Sequence, residues 1–192
     1  MFQQQLPSRV SLTGYIAIVC HTQMPDDQLG FRKCDGFPSA KPLGYPFNRG
    51  ATLQPPKASS ACLSGSTNYY TQLWQCSGMY NDDNQNWQFK QVNLAYFQII
   101  IQTSKWCLDV ENASLTSGAT VIAYECKQQD NQLWRVEEEP GVDGFLVINK
   151  ASGLCAAPRG DKSDNGAVIV QAPCSNDRRW YIREVFAPGE TD

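Results

Sequence analysis

Three tryptophans, Trp87, Trp134 and Trp180, recur 47 and 46 residues apart, and each closes a copy of one pattern. The first copy runs from "ATLQPPKASSACLSG" through "TQLWQC" to "NDDNQNWQF". The second runs from "YFQIIIQTSKWCLDV" through "TVIAYEC" to "DNQLWRV", and the third from "GFLVINKASGLCAAP" through "AVIVQAPC" to "NDRRWYI". Each copy has an opening apolar run, a first cysteine, a second run ending on a second cysteine, and a polar loop that ends on the tryptophan. Runs such as "FQIII" and "AVIV" have strand length, and one such unit is too small to bury its own apolar face. The copies must therefore close on one another. Three of them around a pseudo-threefold axis form a small barrel whose shared core takes the three tryptophans, each burying on the order of 150–250 Å². The expected fold is all-β, a β-trefoil in residues 50–192, with repeats at about 50–93, 94–140 and 141–187. A solenoid is disfavoured by too few copies and the lack of a capping repeat.

The eight cysteines stand at 20, 34, 62, 76, 107, 126, 155 and 174, so that sequence neighbours are 14, 14, 19 and 19 positions apart. Zinc sites favour close Cys-x2-4-Cys knuckles with histidines nearby, and this chain has no such knuckle and one histidine, His21. Disulfides fit better, and they persist in an oxidising compartment, so a secreted or extracellular location is expected. Buried reduced thiols in a cytosolic protein are the alternative. The opening Met1-Phe2-Gln3 is followed by no signal-like run, so a secretory signal is expected to be absent from this numbering or already removed. A net charge of −3 without a long basic run offers nothing to neutralise a phosphate backbone, which argues against nucleic acid as a partner. The longest apolar stretches, Tyr15 to Cys20 and Phe97 to Ile101, are strand-sized, so no membrane span is expected.

The closing motif Gln-x-Trp stands intact as Gln85-Asn86-Trp87 and Gln132-Leu133-Trp134. In register with the cysteine pattern, it resembles the ricin B-type lectin family over residues 50 to 187. The third copy departs from it, reading Arg178-Arg179-Trp180. The resemblance implies a β-trefoil that binds carbohydrate, a galactose-type hexose above all, without cofactor or metal. With the repeats in this register, the expected bridges are Cys62–Cys76, Cys107–Cys126 and Cys155–Cys174, with Cys20–Cys34 outside them.

The family pattern places an Asp two residues after the first cysteine, an aromatic two before the second, and an Asn ahead of the Gln of Gln-x-Trp. Only the middle copy carries all of these, as Asp109, Tyr124, Asn131 and Gln132. There Asp109 is expected to accept from two hydroxyls, Tyr124 to stack on the C–H face of the sugar, Asn131 to donate to a hydroxyl, and Gln132 to brace the loop. A purely structural reading gives Asp109 a turn-capping role and makes Tyr124 an ordinary half-buried strand residue. The first copy keeps Gln72, Trp74, Asn84 and Gln85 but has Ser64 for the Asp, which makes it a weaker second site unless Asp82 or Asp83 substitutes. The third copy has Ala157 and Ala172 for the Asp and the aromatic, so no sugar is expected there, and Arg159, Arg178 and Arg179 read as scattered surface arginines.

No catalysis is expected through His21, which lies outside the repeats beside Cys20, and the acidic run Glu137 to Glu139 next to Pro140-Gly141 reads as a solvated turn rather than a glycosidase pair. The chain is therefore expected to be no enzyme but a lectin, or the glycan-targeting subunit of a secreted or surface assembly. The rival is a structural or toxin-accessory trefoil that acts through protein contacts. Residues 1–49 form an extension with one strand candidate, "GYIAIVC", a local disulfide and a Pro- and Gly-rich stretch from Gly36 to Gly50. Its many large apolar residues suit an ordered arm for self-assembly or docking to a protein partner. Asn112-Ala113-Ser114 is an N-glycosylation sequon beside the expected site.

Overall fold

The computed structural model describes residues 9–12 and 15–18 by their backbone, and residues 50–56, 60–65, 70–77, 84–93 and 95–185. The chain divides into two compact units, Met1–Tyr45 and Pro46–Asp192. In the first, β1 (Arg9–Leu12) and β2 (Tyr15–Ile18) pair as an antiparallel hairpin in which Leu12 faces Tyr15. β2 falls within the strand expected from "GYIAIVC". The expected Cys20–Cys34 bridge lies outside the described residues.

The second unit is built from three sets of four strands. They are β3 (Ala51–Gln54), β4 (Ala61–Gly65), β5 (Thr71–Gln75) and β6 (Trp87–Gln91); then β7 (Phe97–Ile101), β8 (Cys107–Val110), β9 (Val121–Tyr124) and β10 (Trp134–Glu139); and last β11 (Val142–Asn149), β12 (Cys155–Pro158), β13 (Ile169–Ala172) and β14 (Tyr181–Glu184). The first and last strands of each set make the barrel. Pairing runs β11-β10-β7-β6-β3-β14, and a bridge from Phe145 to Trp180 joins β14 back to β11, so the ring closes without a free edge. The middle strands form the hairpins β4–β5, β8–β9 and β12–β13. These meet through three equivalent bridges, Tyr70 to Ile122, Thr120 to Val170 and Gln72 to Val168. The architecture is the β-trefoil expected from the repeats.

The tryptophans carry the threefold relation into the core. Trp87, Trp134 and Trp180 are at most 1% exposed, and each indole Nε1 donates to the carbonyl of the residue after the first cysteine of its own repeat. Those acceptors are Leu63, Leu108 and Ala156, at 2.9, 2.8 and 2.8 Å. A buried N–H must find a partner, so this bond fixes the hairpin of each repeat over its barrel strand. Period-two burial selects the inward residues, as in β6, where Trp87 and Phe89 are buried and Gln88 and Lys90 are exposed. Gly65 is required by packing: a Cβ there would come within 2.5 Å of Ile101 Cδ1 and 2.9 Å of Trp87 Cη2.

The bridges Cys62–Cys76, Cys107–Cys126 and Cys155–Cys174 are all formed within their repeats. Two surface readings are corrected. Glu137–Glu139 belongs to β10 and not to a turn, because the β10–β11 hairpin pairs through Glu139 to Val142 before it reverses. Arg179 is no surface arginine: it is 2% exposed, and it donates to Glu139 Oε2 at 2.6 Å, Gly144 O at 3.1 Å and Asn176 Oδ1 at 3.2 Å. No helix among the described residues is long and apolar enough to cross a membrane.

Candidate functional site

Strand register sets which side chains share a face of the middle hairpin. Cys107 lies opposite Tyr124 and Asp109 opposite Ile122, so these four stand on one face while Leu108, Val110, Val121 and Ala123 turn into the core. The Cys107–Cys126 bridge ties the two ends of that face. Asn131 and Gln132 arrive on a short 3-10 turn, Asp130–Gln132, just before the core Trp134. The turn is held from both sides. Asn149 Nδ2 donates to Asn131 O at 3.0 Å, and Lys150 Nζ pairs with Asp130 Oδ1 at 2.7 Å while lying 5.4 Å from the Tyr96 ring centroid.

The turn delivers two amides to one carboxylate. Asn131 Nδ2 donates to Asp109 Oδ1 at 3.0 Å and Gln132 Nε2 to Asp109 Oδ2 at 2.6 Å. An ionised carboxylate has about four acceptor positions, and these two amides occupy two of them. Asn131 Nδ2 also donates to Val110 O at 3.2 Å, which engages both of its hydrogens and leaves Oδ1 as the atom it can offer. Gln132 further donates to Glu125 O at 2.8 Å and accepts from Lys127 N, tying the strand end to the turn. Asp109 is 5% exposed, and this burial raises its pKa above the ordinary value. The Gln132 and Asn131 hydrogen bonds and the Lys127 charge oppose that rise, and Glu111 adds to it. Tyr124 is 38% exposed, with Lys127 Nζ over its ring at 5.2 Å from the centroid. Asp109, Asn131 and Gln132 thus form one hydrogen-bonded cluster, and Tyr124 stands on the same hairpin face.

The first repeat has the same frame with different contents. Cys62 lies opposite Trp74 and Ser64 opposite Gln72, which puts Gln72 and Trp74 on the equivalent face. Trp74 is 48% exposed. Gln85 repeats the bracing role: Nε2 donates to Gln75 O at 2.9 Å and Oε1 accepts from Ser77 N at 3.1 Å. Asn84 Oδ1 accepts from Thr103 Oγ1 at 3.0 Å. Asp82 and Asp83 lie outside the described residues.

In the third repeat Ala157 and Ala172 are buried, and Arg178 takes the place of the bracing glutamine. Its Nη1 donates to Pro173 O, and its Nε and Nη2 engage Asp161. Nothing in the sequence flagged Asp161, because it lies six residues after its cysteine, whereas Asp109 lies two after. Asn149 was also missed, because it acts on the Asp130–Gln132 turn from 18 residues away, and so was Lys127, one residue past Cys126, which no motif position names. Asn112 is exposed, at φ 56° in the turn Glu111–Ala113. Among the described residues no three His, Cys, Asp or Glu side chains gather as a metal site requires.

Fold and site define a disulfide-linked β-trefoil with one carboxylate cluster beside an exposed aromatic. The ricin-type β-trefoil lectin domain-like family model matches residues 52–124, 83–172 and 130–189, and the chain belongs to that family. Comparison with curated proteins gave no sequence match. Among solved structures, a designed threefold-symmetric protein, ThreeFoil, is 27% identical with a TM-score of 0.63, over 70% of this chain and 98% of that one. The Macrolepiota procera ricin B-like lectin, in complex with lactose, is 14% identical with a TM-score of 0.60, over 71% and 95%. An exo-β-1,3-galactanase from Clostridium thermocellum is 20% identical with a TM-score of 0.64 over 72% of this chain, which spans 30% of that enzyme. The last two likenesses concern the fold.

Proposed function

We propose that this chain is a non-catalytic carbohydrate-binding module whose middle repeat takes one hexose of the galactose type. The observation that carries the reading is the Asp109 carboxylate, held by two amides with acceptor capacity left over, on the same face as the exposed ring of Tyr124. Two adjacent hydroxyls match the remaining acceptor positions, and the C–H face of a pyranose matches the ring. Asn131 Oδ1 accepts from a further hydroxyl. Family membership supports this use of the site, and the lactose complex of the Macrolepiota lectin supports the galactose preference. The first repeat, with Gln72, Trp74, Asn84 and Gln85 around Ser64, is a weaker second site, since a neutral hydroxyl accepts less strongly than a carboxylate. Three disulfides within the trefoil suit a secreted or extracellular setting. A glycan array probed with the intact protein, followed by calorimetric titration with galactose and N-acetylgalactosamine, tests the reading. Specific binding that is lost in Asp109→Ala supports it. An array without signal would favour the rival role in protein contacts.

A further inference from the structure

The exposed aromatic nearest to Tyr124 in strand register comes from another repeat. Asp109 lies opposite Ile122 across the β8–β9 hairpin, and Ile122 is bridged on its far side to Tyr70. Residues opposite one another in antiparallel strands point to the same face. Asp109, Ile122 and Tyr70 therefore form one cross-strand row, and Tyr124, two residues beyond Ile122, stands on the same face. Tyr70 and Tyr124 are diagonal neighbours, a relation that sets side chains ~7–8 Å apart, within reach of aromatic rings. Tyr70 is 51% exposed, whereas Ile122, between the two tyrosines, is 2% exposed. The face thus offers two accessible rings over a sealed apolar floor, with the carboxylate at the other end of the row.

This juxtaposition is not a general consequence of the fold. The two equivalent bridges carry Thr120 opposite Val170 and Val168 opposite Gln72, so neither brings a ring to the matching place. The chain has a tyrosine there once, and against the repeat that holds the carboxylate. A single hexose on Asp109 and Tyr124 leaves the Tyr70 ring for whatever is linked to it.

Resting on the reading of the middle repeat as a sugar site, we infer that Tyr70 is a second aromatic platform of that site. It stacks on the next unit of a glycan, so that the preferred ligand is an oligosaccharide of at least two units rather than a lone hexose. The test uses the intact protein and its Tyr70→Ala and Tyr70→Phe variants. Calorimetry measures the methyl glycosides of galactose, N-acetylgalactosamine, glucose and mannose, and disaccharides that carry each of them. The wild type is expected to bind a disaccharide about tenfold more tightly than its monosaccharide, equivalent to about 1.4 kcal/mol. Tyr70→Ala should remove that advantage and leave monosaccharide affinity in place, while Tyr70→Phe, which keeps the ring, should retain it. Equal losses for both ligand sizes, or an unchanged ratio in Tyr70→Ala, overturn the role of Tyr70 and leave the hexose site standing. A wild type that binds none of these sugars overturns the hexose site, and this inference with it.

Discussion

Arg178 grips Asp161 with two nitrogens, Nε at 2.9 Å and Nη2 at 3.2 Å, in the repeat where Arg178 stands at the position of Gln132 in the middle one. Its third nitrogen, Nη1, donates to the carbonyl before the second cysteine, as Gln85 and Gln132 do in their repeats. The brace survives the substitution, and the guanidinium that makes it also holds both carboxylate oxygens of Asp161. Hydrogen bonding to Asp161 pushes the guanidinium further toward its charged form.

A stability prediction follows for this pair, whose side chains are 22% and 35% exposed. Arg178→Ala removes the brace and the ion pair together, and should cost about 1–2 kcal/mol, discounted for solvent access from the larger values of fully buried pairs. Arg178→Gln should cost less, because an amide remakes the bond to Pro173 O. Urea denaturation of the three proteins checks the order.

Binding should depend on the middle repeat alone among the carboxylate positions. A site with one carboxylate, one amide and a ring should hold a monosaccharide with a dissociation constant on the order of millimolar, about −4 kcal/mol. Asp109→Ala and Tyr124→Ala should each reduce binding below detection by calorimetry. Ala157→Asp should restore nothing in the third repeat, because Ala172 gives no ring and Arg178 already holds an acid. Binding retained by both middle-repeat variants would remove the site from this hairpin.

The trefoil was legible in the sequence because its cause is repeated there: three tryptophans in register must share one core, and the cysteine spacings fall within each copy. Asp109, Tyr124, Asn131 and Gln132 were legible as a candidate set because the family pattern counts its positions from the cysteines and the tryptophan, and the hairpin register puts Asp109 and Tyr124 on one face. What escaped depends on neighbours distant in sequence. Arg179 looked like a surface residue until Glu139, Gly144 and Asn176 converged on it. Glu137 to Glu139 looked like a turn, but closure of the barrel demands that β10 continue alongside β11. Tyr70 gains its place only through a bridge to a strand 52 residues further on, at Ile122.

Covalent structure offers a direct check on the repeat register. Each loop closed by a disulfide spans 14 or 19 positions, and the chain-entropy model gives about 3 kcal/mol for a loop near 15 residues. Reduction should therefore lower the melting temperature steeply. Peptide mapping without reductant should recover the three bridges within repeats, together with the expected Cys20–Cys34. A bridge between repeats would contradict the register.

The pH dependence of binding should run opposite to the contribution of Asp109 to stability. Burial raises the Asp109 pKa above its ordinary 3.8, with the Gln132 and Asn131 hydrogen bonds offsetting only part of the effect. A folded-state pKa above the unfolded one means that ionisation opposes folding. The stability contributed by this residue is present below the unfolded pKa and is lost as pH rises through the folded one. Sugar hydroxyls, by contrast, need the ionised acceptor. Affinity should be constant well above the raised pKa and fall about tenfold per pH unit below it. The midpoint of the fall should lie above the ordinary aspartate value, and binding near it should release protons. Calorimetric titrations across pH, repeated in buffers of different ionisation enthalpy, measure both quantities. Affinity that does not fall with pH in this range, or binding there without proton release, would mean that Asp109 is not the acceptor that sugar engages, whereas a midpoint at or below 3.8 would remove only the rise attributed to burial.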